Sequence, residues 1–127
     1  MKHEAVNADL PAMGLPFSWG VKLGNLLFIA GQGPLGRDGK IVEGDIRAQT
    51  RATLENVKKV VEAAGSSLEN VLSATVYLKD LKDYDGMNEV YALYFKKEPR
   101  PARAAVQADL LFGMRVEIQG VAYVPDK

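Results

Sequence analysis

An arginine and a glutamate in the last quarter of the chain are the residues best suited to chemistry. Arg103 stands at the start of a strand-like run among small and apolar neighbours, and Glu117 lies inside a second such run, Met114 to Val124. A guanidinium at the edge of an apolar sheet suits a small carboxylate, because its planar fork makes two parallel hydrogen bonds. A carboxylate nearby can orient or deprotonate a water. Together they point to hydrolytic chemistry on a small acid, and they call for neither metal nor cofactor.

Composition narrows the class. The 127 residues suit one domain, 1–127, and a chain of this size buries about two-thirds of its extended surface on folding. Lys plus Arg equals Asp plus Glu at 16 each, which argues against nucleic acid as a partner and against a charged membrane surface. The absence of cysteine excludes disulfides, thiolate catalysis and Cys-ligated metals, and fits a reducing compartment. No window approaches the ~18 consecutive apolar residues of a membrane span. The first residues carry charges early and do not read as a secretory signal, so a cytoplasmic location is expected.

The elements that must position Arg103 and Glu117 follow from periodicity. Phe17 to Lys22 alternates apolar with small or polar residues, and Leu26 to Gly31 is a short apolar run, so the two suggest a hairpin. From Asp45 to Ala64, Ile46, Thr50, Thr53, Leu54, Val57, Val60, Val61 and Ala64 recur at helical spacing. Asp45 suits the cap, and Gly65 the left-handed residue beyond the end. Val71 to Leu78 reads as a strand. Asp83 is expected to cap a second helix reaching about Lys96, with Tyr84, Met87, Val90, Tyr91, Tyr94 and Phe95 on its core face. Pro99-Arg100-Pro101 forbids helix and leads into two final strands. The order β-β-α-β-α-β-β predicts an α+β two-layer sandwich, a mixed sheet with two helices on one face.

Strand parity extends the reading. Arg103, Ala105 and Gln107 share one face of their strand, and Arg115, Glu117 and Gln119 one face of theirs. Both faces are expected to point away from the helix-covered core, toward solvent or another subunit. A sheet face with few charges among small residues invites oligomerisation, with sites at the seams. Gly31-Gln32-Gly33-Pro34-Leu35-Gly36 satisfies a GxGxxG pattern but precedes a turn, so it does not read as a dinucleotide site. His3 lies in a segment expected to be loose and is assigned no role. Phe17 and Trp19 are expected to line a pocket or an interface.

The run Arg100-Pro101-Ala102-Arg103-Ala104-Ala105-Val106-Gln107 followed by Val116-Glu117-Ile118 resembles the signature of the Rid proteins, also called the YjgF/YER057c/UK114 family. Phe28-Ile29-Ala30-Gly31-Gln32, Leu54-Glu55-Asn56-Val57 and Met87-Asn88-Glu89-Val90-Tyr91 agree in the same order along the chain. The resemblance implies a chorismate-mutase-like fold and a homotrimer with ligand sites between subunits. It also implies enamine/imine deaminase activity on 2-aminoacrylate and related imines, giving 2-keto acids and ammonia without a cofactor. By match to the motif, Arg103 holds the substrate carboxylate and Glu117 positions the water, with Phe17, Trp19, Ala30, Gly31 and Gln32 around the ligand. Phe17 stands where the family usually has tyrosine, Ala30 where the imine deaminases carry serine, Ala105 where many members carry cysteine, and Gln119 where a second acidic residue is common. The 109–115 loop is slightly short. Phe17 with Gln49-Thr50-Arg51 is closer to a subgroup linked to pyrimidine breakdown, whose substrate is an aminoacrylate isomer. Two other functions are weighed beside the deaminase. One is a non-catalytic or regulatory trimer that binds small carboxylates. The other is an RNA-directed role as endoribonuclease or translation inhibitor, against which neutral charge and the lack of a histidine pair argue.

Overall fold

Asp45 opens the longest element. Its side chain accepts a hydrogen bond from the Ala48 backbone N–H at 3.0 Å and starts helix α1, Ile46–Ala63. Gly65, at φ 87°, ends it: the Gly65 and Ser66 N–H groups donate back to the Glu62 and Val61 carbonyls, satisfying groups the helix would leave orphaned. Leu54, Val57, Val60 and Val61 form the buried stripe that the periodicity predicts.

The computed structural model describes residues 1–126. Six strands form one sheet: β1 (Glu4–Val6), β2 (Gly20–Leu23), β3 (Leu26–Gln32), β4 (Val71–Leu78), β5 (Ala102–Gln107) and β6 (Val116–Tyr123), in the order β1-β2-β3-β6-β4-β5. Helix α2, Tyr84–Tyr94, lies between β4 and β5 in sequence. Both helices pack on one face, so the architecture is the predicted α+β sandwich. Among the described residues only β4 and β5 run parallel, and α2 supplies the crossover that a parallel pair requires. The final strand does not return beside β5. It inserts between β3 and β4, antiparallel to both, and brings Val116, Ile118 and Ala122 into the core beneath α1.

Several expectations are corrected. The N-terminal segment is not loose throughout, because Glu4–Val6 pairs with β2 through Glu4↔Lys22 and Val6↔Gly20. Three residues with only Val6 buried carry too short a period to read from sequence. Strand β2 begins at Gly20 and not at Phe17. Helix α2 ends at Tyr94. Asp83 does not cap it, since a 3-10 turn, Leu81–Asp83, runs directly into the helix and Asp80 caps that turn instead. Gly86 is required by packing: a Cβ there would stand 2.6 Å from Ile46 Cγ2, so glycine lets α2 lie against the start of α1.

Among the described residues the other sheet face carries no helix. Leu26, Phe28, Val106 and Tyr123 lie on it and remain exposed, Phe28 at 48%.

Candidate functional site

Glu117 sits on the helix-free face of β6, beside Tyr77 of β4, as parity predicts. On its other flank the β3–β6 register slips between Ile29 and Gln32. A bulge adds a residue to one strand and re-aims the side chains around it. Gly31 lies within this irregularity, and a Cβ on it would occupy the place of the Glu117 carboxylate. The glycine is therefore the space in which the carboxylate rests. Burial pushes the Glu117 carboxyl above the ordinary glutamate range. A half-buried carboxyl of this kind is more basic than an exposed glutamate, the direction in which a general base is tuned.

Phe17 and Trp19 meet edge to face, with ring centroids 5.0 Å apart. With Gly31, Gln32, Phe112 and Met114 they line a cavity of about 80 Å³. The sequence-predicted residues Phe17, Trp19, Gly31 and Gln32 thus converge, and Glu117 adjoins them across Gly31. Ala30, expected around the ligand, does not line this cavity, and its backbone holds the strand beside it. The Ala30 N–H donates to the Trp19 carbonyl at 2.9 Å, and its carbonyl accepts from the buried Gln32 amide at 3.0 Å. The two tie the bulge in place.

Arg103 lies elsewhere. Register sets Ala74 beside Arg103 and Val76 beside Ala105, and Ala74 and Val76 face the helices. The expectation that Arg103 points away from the core is therefore overturned, because β5 is a parallel edge strand on β4 and not the partner of β6. The guanidinium stacks 4.7 Å from the Tyr91 ring centroid and 5.6 Å from that of Tyr84. It donates to the Tyr84 hydroxyl at 3.1 Å and lies 4.0 Å from Met87 Sδ. Among the described residues no carboxylate stands within ion-pairing distance of it. It opens on a cleft of about 350 Å³ lined by Asn88, Tyr91, Ala92, Arg100 and Pro101. Tyr84, expected in the core, is 40% exposed. Helical spacing located the stripe and sets the tyrosine hydroxyls at its edge, where that of Tyr84 reaches Arg103 of the strand.

Arg103 and Glu117 therefore do not meet within one chain. Two strand spacings of about 4.8 Å separate their strands, and the side chains leave opposite faces of the sheet.

Three buried amides set this geometry, and sequence reasoning gave only Gln32 a role. The Asn56 amide donates to the Gly33 and Leu35 carbonyls, both at 2.9 Å, and pins the chain leaving β3. Gln49 donates to the Val42 carbonyl and accepts from the Arg115 N–H at 2.8 Å, fixing the entry to β6 two residues before Glu117. The detectable signal was a polar residue on an apolar helical face, since buried amides are seldom without a backbone partner.

A family model described as Endoribonuclease L-PSP matches residues 8–124. A RutC family protein of Pyrococcus horikoshii is 49% identical over 125 residues, covering 97% of this chain and 98% of the relative. A solved structure from Yersinia pestis, titled as a protein of unknown function of the conserved Rid protein family, superposes with a TM-score of 0.92 at 32% identity, covering 97% of this chain and all of the other. The chain belongs to the Rid family. Another relative is the Escherichia coli 2-iminobutanoate/2-iminopropanoate deaminase, 35% identical over 125 residues, covering 96% of this Rid chain and 98% of that enzyme.

Proposed function

We propose that this Rid protein is an enamine/imine deaminase that hydrolyses small 2-imino acids to 2-keto acids and ammonia. The observation that carries the reading is the division of the site. A guanidinium with no carboxylate partner among the described residues lies on one face of the sheet, and a carboxyl raised by burial lies on the other. Each is half of a site for a small acid, and a second copy of the chain completes it. The exposed apolar sheet face is the surface on which copies associate, and a homotrimer is the assembly that the Rid resemblance implies.

In this reading Arg103 of one copy receives the substrate carboxylate in its fork. Glu117 of a neighbouring copy takes a proton from water as the water oxygen bonds to C2 of the protonated imine. The resulting carbinolamine holds hydroxyl and amine on one carbon. Glu117 returns the proton to the nitrogen, the C–N bond breaks, and ammonia leaves with the hydroxyl proton lost to solvent. An enamine substrate first takes a proton at C3 to become the imine. The electrophile is reactive from the start, so the protein's contribution is placement, and well-oriented reactions recover roughly 7–11 kcal/mol. The name of the Escherichia coli relative supports the substrate class.

The test generates imines in place with an amino-acid oxidase, in the presence of semicarbazide as a competing trap. The native protein is expected to raise the keto-acid yield against the trap. An unchanged yield across several side chains would remove the deaminase reading and leave a carboxylate-binding trimer.

Tyr84→Phe isolates the hydroxyl that holds Arg103. The ring stack survives and one hydrogen bond to a charged group is lost, an interaction worth about 1.5–3 kcal/mol. Tyr84 is 40% exposed, so solvent replaces part of this and the expected effect is about a three- to tenfold rise in KM with little change in kcat. Steady-state kinetics checks the split.

A further inference from the structure

Arg103 owes its place to α2. Its guanidinium stacks over the rings of Tyr84 and Tyr91, donates to the Tyr84 hydroxyl and touches Met87 Sδ. These three residues share one stripe of the helix, at i, i+3 and i+7, so the placement of the fork follows the first two turns of α2. The neighbouring stripe seats α2 on α1. Gly86 stands between Tyr84 and Met87 in the chain, and a methyl there would lie 2.6 Å from Ile46 Cγ2. Ile46 is buried and β-branched, so its own methyl has no room to swing aside. One turn on, Arg47 Nε and Nη2 donate to the two Glu89 oxygens at 2.7 and 3.0 Å. Glycine is a poor helix former, and the backbone of Gly86 is ordinary helix, so the close approach is what accounts for it.

We propose that Gly86 is a positioning residue of the site, acting through Arg103. By letting α2 seat against Ile46 it sets where Tyr84, Met87 and Tyr91 hold the guanidinium, and the Arg47–Glu89 pair fixes the helix in rotation there. The inference rests on one part of the deaminase reading, that Arg103 receives the substrate carboxylate. A methyl at position 86 would lift the first turns of α2 from α1 and carry all three contacts of Arg103 with them. A bidentate fork tolerates this less than a point charge would, because both N–H···O bonds must stay near linear. A displacement of about 1 Å that originates away from the chemistry can cost about a hundredfold.

The test reads carboxylate recognition without turnover. Affinities of pyruvate and of its neutral amide, pyruvamide, would be measured by NMR titration, and their ratio taken as the work of the fork. The native protein should prefer pyruvate. Gly86→Ala should cut that preference by about tenfold, and adding Ile46→Ala, which clears the opposing methyl, should restore most of it. In an Arg103→Ala background Gly86→Ala should change the ratio no further, because its effect passes through the guanidinium. Arg47→Gln with Glu89→Gln removes the half-exposed pair at constant net charge and should cut the preference by about threefold, with folding little affected. That double variant decides the matter if Gly86→Ala does not fold. The proposal is overturned if the native protein does not prefer pyruvate, if folded Gly86→Ala keeps the native ratio, or if its effect persists without Arg103. Where Gly86→Ala does not fold, a native ratio in the Arg47→Gln, Glu89→Gln protein overturns it. Failure of the deaminase reading shows separately, as an unchanged yield in the trapping assay with this pattern of affinities intact.

Discussion

Arg103→Ala is expected to lower kcat/KM for imine hydrolysis by about a thousandfold, because two parallel charge-assisted hydrogen bonds to the substrate carboxylate, each worth about 1.5–3 kcal/mol, are lost together. The loss should fall mainly on KM if the carboxylate contact is equal in ground and transition states. Folding should be little affected. The guanidinium sits at the sheet edge and its ring stacks are worth only about 0.5–1 kcal/mol each where partly exposed. Arg103→Lys keeps the charge but not the fork, and should recover no more than a tenth of the lost activity. Full activity in Arg103→Ala would remove the arginine from the mechanism.

Glu117→Gln is expected to lower kcat by about a hundredfold or more at nearly constant KM, the usual worth of a positioned general base. Its pH dependence identifies the group. Burial raises the Glu117 carboxyl, so the base form is lost as pH falls through that raised value. Native kcat/KM should fall with acidification above the range of an ordinary glutamate, and the variant should show no such limb. Stability has the opposite sign. The folded state holds this proton more tightly than the unfolded chain, so the carboxyl favours folding below its ordinary value. That contribution disappears as pH rises through the raised one. Glu117→Gln should therefore be somewhat more stable than the native protein at neutral pH, which thermal unfolding at several pH values would show.

The helices and the long strands were legible because their apolar residues repeat at 3.6 or 2 residues. Leu54, Val57, Val60 and Val61 define the core side of α1, and alternation places Glu117 opposite Val116 and Ile118. Strand order was not legible, because pairing between distant strands leaves no local period. Nothing in Val116 to Tyr123 shows that this strand enters between β3 and β4, and nothing in Ala102 to Gln107 shows the parallel register on β4 that decides which face Arg103 takes. Sequence parity assigns two faces to each strand but cannot say which face of β5 matches which face of β6 without the register through β4. Motif matching paired Arg103 with Glu117 as one site. The register explains how they belong together while pointing apart, if neighbouring copies share the site. Positioning groups such as Asn56 and Gln49 stayed hidden, because their partners are backbone carbonyls and N–H groups of distant loops.

The most direct test of a shared site is complementation between two inactive variants. Arg103→Ala and Glu117→Gln would be mixed in equal amounts, dissociated, reassembled and assayed for imine hydrolysis. If each site takes its arginine from one copy and its glutamate from the next, random assembly leaves about a quarter of the sites with both groups, and activity should recover to about that fraction of native. If the mixture stays at the level of the separate variants while native protein treated in the same way regains full activity, the site does not draw on two copies and the account is wrong.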